Sequence, residues 1–241
     1  MRKYRALLMN DIRHAALDPV LMAGMFAPLA LLLLSRFGYP MASNWIEERY
    51  VFDIGEYSNF AATFLVVIIP MLTGMLTGLL MLDERDENII SYYAVTPLMR
   101  RGYMVYRLIL PSILSAVLSA LYLSLSGISE IRMESMYTLL LLALEAPCFA
   151  LFLAAFSANK VEGLALSKIG GLFIAGPVVA YFVTGAWQLL GAWVPTYWPA
   201  KVFLVGVQGE SLSAFAYFAV GLMFHVVLLV VMVRIFIKRV D

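Results

Sequence analysis

Two ionisable side chains, Glu145 and His225, fall in the middle of long apolar runs. A charged group at that depth of a bilayer costs about 2.5–3.5 kcal/mol on insertion scales, so such groups face the protein interior or a water-filled path. There a carboxyl and an imidazole can bind cargo, pass protons or tie helices together by hydrogen bonds. Both residues are therefore candidates for a substrate pathway, with a structural hydrogen bond as the competing role. Glu145 lies nine residues into its span and His225 twelve into its own. Both spans run in the same direction, so at about 1.5 Å per residue the two depths differ by roughly 5 Å. The expectation is that they lie close together and line a cavity.

Other chemistry is excluded by what is missing. The chain has no His-Glu-x-x-His, no Gly-x-Ser-x-Gly and no paired acids within a span, which leaves no basis for an intramembrane enzyme. It has no G-x-x-x-x-G-K-[ST] loop, so ATP would have to be bound by another chain. One cysteine, Cys148, and two histidines, His14 and His225, rule out an internal disulfide and argue against a metal cluster. A net charge of +1 argues against nucleic acid as a partner.

The second chemically dense passage is Leu82-DERDENIISYYAVTPLMRRGYMVYR-Leu108. Acids at Asp83, Glu84, Asp86 and Glu87 suit the positive end of a short helix. Ile89, Ile90, Tyr92, Tyr93 and Val95 follow, and Pro97 ends the helix, since a residue before proline disfavours that conformation. A solvated loop that only pins topology rarely sets two isoleucines, two tyrosines and a valine among its charges. The alternative is a segment built to dock on another protein. A second loop, Ser157-ANKVEGLALSK-Ile169, reads as an ordinary loop capping spans four and five.

These residues must be held by membrane helices. With 63% hydrophobic and 14% charged residues in 241, the chain is far more apolar than a soluble domain. At about 20 residues per crossing, it reads as an all-α polytopic integral membrane protein with six transmembrane helices and no separate soluble domain: Pro19–Ser35, Phe60–Leu82, Met104–Ser126, Met136–Ser157, Leu164–Phe182 and Ser213–Ile235. Thirteen of the 17 Lys and Arg residues fall on the side of the two termini and four on the other, which places both termini in the cytoplasm; the plasma (inner) membrane is the expected location. Residues 1–18 read as an interfacial amphipathic helix whose apolar face is interrupted by Asp11. The polar stretch 36–59 is expected to lie outside as a loop. Residues 184–211, broken by Gly185, Gly191, Pro195 and Pro199, read as an outer re-entrant hairpin with Trp187, Trp193 and Trp198 at headgroup level. Gly74-x-x-x-Gly78, with Ser112, Ser115, Ala116, Ser119 and Ala120 in the next span, allows close helix packing.

In these features the chain resembles the transmembrane subunits of type-2 ATP-binding-cassette (ABC) exporters, including the drug or fluoroquinolone export permeases. The resemblance rests on the N-terminal interfacial helix, six spans, the acidic segment leading to Thr96-Pro97 and a broken outer hairpin. It implies that residues 83–97 form a coupling segment seated in an ATPase subunit, through Glu84, Arg85, Asp86, Glu87, Asn88, Ile89, Ile90, Tyr93, Thr96 and Pro97. This chain has Asn88-Ile89 where the family often has Gly-Thr. The second loop resembles the family's other cytoplasmic contact through Asn159, Glu162, Gly163 and Lys168. The resemblance further implies a cytoplasmic ABC ATPase partner that binds ATP and magnesium, a second permease as homodimer or paralogue, no cofactor on this chain, and export of an amphipathic drug, peptide or lipid-like cargo. The rival is an ATPase-independent secondary transporter or channel that uses Glu145 and His225 as proton-handling groups and needs no coupling segment.

Overall fold

The computed structural model describes residues 2–50, 52–96 and 99–240, and the described residues are almost entirely helical. Among them, six helices are long and apolar enough to cross a membrane. The chain begins with α1 (Arg2–Leu17), turns at Asp18 and enters α2 (Pro19–Leu33). Asp18 caps α2 by accepting from the amides of Val20 and Leu21 at 2.8 and 3.3 Å, and Pro19 fits the first helical turn, where no N–H partner is needed.

Span one does not end at Ser35, and residues 36–59 are mostly not a loop. A π turn at Leu34–Gly38 carries the helix on into α3 (Tyr39–Tyr50). Pro40 lacks an amide to donate, and the wider turn just before it, in which Tyr39 N–H reaches the Leu34 carbonyl, absorbs that break. The turn is pinned at its buried side by a 2.8 Å hydrogen bond between the Ser35 and Tyr122 hydroxyls.

The centre of the bundle is α4 (Ser58–Asp86) and α7 (Ser135–Phe156). Their apolar stretches are 78% and 67% buried, against 17% for the first and 17% for the last spanning helix. Apolar surface gains nothing by moving from lipid to protein, so close approach and dispersion must hold them. Gly74 and Gly78 supply the approach, but towards α7 and not towards the following span. A Cβ on Gly74 would lie 2.5 Å from the Ala146 carbonyl, and one on Gly78 2.9 Å from that of Ala150. The next helix, α6 (Met99–Leu125), packs through Ser115, whose hydroxyl donates to the Leu142 carbonyl of α7 at 3.0 Å. Between them lies the short α5 (Ile89–Val95).

Span five is two helices, α8 (Lys160–Gly170) and α9 (Ala175–Phe182), joined by a 3-10 turn at Gly171–Ile174. After it come a 3-10 segment, Gly185–Trp193, and α10 (Tyr197–Val207); α11 (Ser211–Val240) closes the bundle. Trp187 and Trp193 are exposed, as an interfacial role requires, but Trp198 is buried and its indole N–H donates to the Ala192 carbonyl at 3.0 Å. The expectation of a headgroup position for Trp198 is corrected: α10 packs into the bundle with Ala200, Val202 and Phe203 buried beside it, so its tryptophan belongs to the core.

Candidate functional site

The segment expected to dock on a partner divides into an inner and an outer face. Glu84 ends α4 pointing inward, where it is buried with Arg107 and Asp11. Arg107 lies one turn after Tyr103 on α6 and is 1% exposed. Its guanidinium forks twice. Nη1 and Nη2 donate to the two Asp11 oxygens at 2.8 and 2.9 Å, while Nε and Nη2 donate to the two Glu84 oxygens at 3.0 and 2.5 Å. Tyr103 donates to Glu84 at 2.8 Å and Tyr106 to Asp11 at 2.7 Å, so each carboxylate oxygen has a donor. Only arginine presents this planar fork, and bidentate pairing is what makes a buried charge tolerable. The cluster joins α1, α4 and α6 at one point.

Directly against it sits α5. Ile90 is buried with Met81, Tyr103 and Phe236, and the Tyr93 ring stacks on Tyr103 with centroids 5.3 Å apart. Partial burial and the nearby Glu84 carboxylate raise the Tyr93 phenol above its ordinary value. Arg85 donates to the Ala154 and Ser157 carbonyls at 2.9 and 2.5 Å, closing the open end of α7. Asp86 accepts from the Lys160 amide at 3.2 Å. Asn88 takes a left-handed conformation, φ 58°, which an asparagine tolerates better than most residues and which turns α4 into α5. Thr96 returns its hydroxyl to the Tyr93 carbonyl at 2.9 Å, and Pro97 lies outside the described residues. The outward face carries Glu87 and Asn88 with Tyr92 and Val95, the last two 69% and 86% exposed. Glu84 and Ile90 thus hold the segment from below, and Tyr92, which composition singled out without placing, is on the open side.

The second loop is a capping box. Asn159 accepts from the Glu162 amide at 2.9 Å, and Glu162 returns to the Ala158 amide at 2.6 Å. Gly163 permits contact with Leu82, which a Cβ would meet at 2.4 Å. Lys160 bridges Asp18 at 2.6 Å and Asp83 at 2.5 Å, and its ammonium holds the Asp18 carboxyl below the usual carboxylate range.

Glu145 and His225 are both buried but do not bond to each other. The His225 Nδ1 bonds to the Gly221 carbonyl of its own helix at 2.8 Å, and its Nε2 has no partner. Glu145 Oε2 also has none. Cys148, one turn beyond Glu145, joins their helices: its thiol lies 3.8 Å from the His225 carbonyl oxygen. Glu145 lines a cavity of about 290 Å³ with Phe149, Phe152, Phe173, Trp193 and Phe224 among its walls; His225 does not. The expected equal depth therefore brings the two helices into register without pairing the side chains. Among the described residues no cluster of His, Cys, Asp or Glu is placed to hold a metal.

Sequence reasoning missed Asp11, Tyr103 and Tyr106 as site residues and read Arg107 only as a topology marker. The signal was present. An acid breaking the apolar face of an amphipathic helix, and an arginine inside an apolar span, each need a partner.

A family described as "Fluoroquinolones export permease protein Rv2686c-like" matches residues 11–233. Two curated relatives from Mycobacterium tuberculosis are each 30% identical over 200 residues, covering 81% of this chain and 79% of the relative. One is "Fluoroquinolones export permease protein Rv2686c" of strain ATCC 25618 / H37Rv, and the other "Fluoroquinolones export permease protein MT2760" of strain CDC 1551 / Oshkosh. No solved structure matches.

Proposed function

We propose that this chain, which belongs to the family of fluoroquinolone export permeases, is the transmembrane half of an exporter driven by ATP on a separate ABC ATPase subunit. It sits in the plasma (inner) membrane with both termini in the cytoplasm, works beside a second permease, and moves an amphipathic cargo outward. The relatives' names point to fluoroquinolone drugs as one such cargo.

The observation that carries this reading is the two-faced α5. Its inner face is fixed by Ile90, by the Tyr93–Tyr103 stack and by the buried cluster beneath. Its outer face holds Tyr92 and Val95 in the open beside Glu87. Two large apolar side chains on so short a helix suit a cleft in a partner. A helix anchored to α1, α4 and α6 at one charged point moves them together when pushed. On this reading the ATPase pair closes on ATP, α5 carries the displacement through Glu84 and Arg107, and the path between the two permeases opens outward. Coupling works only if α5 is stiffly attached, and double bidentate pairing resists stretching.

The test replaces Tyr92 and Val95 by serine. The variant is expected to reach the membrane and melt like wild type while losing co-purification with the ATPase and losing export. Co-purification and export at wild-type levels would overturn the docking role of α5.

A further inference from the structure

We infer that the cavity beside Glu145 is a binding site for a hydrophobic amine, seated with its protonated nitrogen against the carboxyl and its ring body among the aromatic walls. This rests on the export-permease reading and deepens it by naming the class of cargo. Three observations carry it. Glu145 is 3% exposed and its Oε2 has no hydrogen-bond partner. No cation among the described residues pairs with it, whereas Glu84 and Asp11 take both forks of an arginine. Native interiors rarely leave a carboxyl oxygen unmet, because an unsatisfied buried polar group costs about 1–3 kcal/mol.

The walls define what can meet it. Phe149 and Phe152 come from α7, Phe173 from the 3-10 turn within span five, Trp193 from the segment before α10, and Phe224 from α11. Phe173 stands edge-on to both α7 rings, at 78° and 63°, so the aromatic surfaces face in different directions around the space. Ring faces are negative and attract ammonium groups as well as apolar bodies. A carboxyl and aromatic faces together select a cation. An anion would be repelled, and a neutral ring compound would leave the carboxyl as it is. At about 290 Å³ the space is at the small end of ligand pockets and admits a body of one or two rings.

The test uses the purified permease alone in detergent, with no ATPase and no nucleotide, so that failure here is separable from failure of the exporter reading. Calorimetric titration compares 2-naphthylmethylamine at neutral pH with its uncharged isostere 2-naphthylmethanol, each corrected for uptake by empty micelles. A charge-assisted contact predicts that wild type prefers the amine by about tenfold. Glu145→Gln is expected to bring that ratio to near one. Phe152→Trp, which fills the cavity, is expected to weaken both ligands. Equal affinity for amine and alcohol in wild type overturns the proposal. So does an amine preference that survives Glu145→Gln, or a Phe152→Trp variant that binds both ligands as tightly as wild type. Should Glu145→Gln fail to fold, the wild-type ratio and the Phe152→Trp titration decide between the two outcomes.

Discussion

Glu84 and Glu145 are both carboxyls inside the bundle, 5% and 3% exposed, yet their surroundings are opposite. Glu84 receives an arginine fork and a tyrosine hydroxyl and shares its cation with Asp11. Glu145 faces phenylalanines, with one oxygen unmet. A buried carboxyl bound into a cluster drawn from three helices sets the relative position of those helices. One that the chain leaves unanswered in a cavity does no such work and is free to be answered from outside. The same side-chain chemistry thus serves attachment at one end of the bundle and, as proposed above, recognition in its middle.

The sharpest way to break this contrast is to remove the shared cation. Arg107→Met leaves two buried acids with one tyrosine hydroxyl each and no cation, and breaking such a pair costs about 3–5 kcal/mol. The expected result is a large fall in folded yield and melting temperature in detergent, partly restored by Asp11→Asn with Glu84→Gln, which remove the orphaned charges. A Met variant that melts like wild type would mean the cluster holds nothing.

Next in size is Tyr103→Phe. It removes the hydroxyl that donates to Glu84 while keeping the ring that stacks on Tyr93. Hydrogen bonds to charged groups contribute about 1.5–3 kcal/mol. The variant should lose stability by less than Arg107→Met, and it should show little further loss when combined with Glu84→Gln. Full additivity would show that Tyr103 and Glu84 act separately.

How much of this was legible in sequence depends on distance along the chain. Six crossings were readable because each is a local run of apolar residues, and the segment from Glu84 to Thr96 stood out because large apolar residues follow directly on a cluster of acids. Hydropathy cannot tell a lipid-facing apolar residue from a protein-facing one. That is why Trp198 was set at the membrane surface when it is buried, and why Gly74 and Gly78 were assigned to the following span when they face α7. The Asp11–Glu84–Arg107 cluster joins residues up to 96 positions apart, and nothing local in one sequence says which unmatched acid meets which unmatched arginine. Glu145 was visible because a lone acid in an apolar run is conspicuous. Its lack of a partner became visible only once the neighbouring helices were in place.

Glu145→Leu should act with the opposite sign to Arg107→Met. It removes a buried group whose Oε2 makes no hydrogen bond and replaces it with an apolar side chain among aromatic ones. Recovering an unmet polar group is expected to raise stability by about 1 kcal/mol, within the range for such groups, while export of an amine cargo falls. A fall in melting temperature comparable to that of Arg107→Met would erase the distinction between the two acids.

The smallest effect belongs to His225, and it separates the two mid-membrane residues from each other. The Gly221 carbonyl can only accept, so the His225 Nδ1 carries the hydrogen of their 2.8 Å bond, and in the neutral ring Nε2 is then a bare acceptor with no donor near it. A carbonyl inside a helix already receives the amide four residues on, so losing the imidazole leaves it satisfied. His225→Leu therefore removes one weak bond and one unmet acceptor at once, and these nearly cancel. The melting temperature should stay close to wild type, with a change in stability within about 0.5 kcal/mol. Because His225 does not line the aromatic cavity, the same variant should also keep the amine-to-alcohol preference that Glu145→Gln abolishes. If His225→Leu abolishes that preference as well, the imidazole reaches the ligand, and the two residues act as one site despite the absence of a bond between them in this structure.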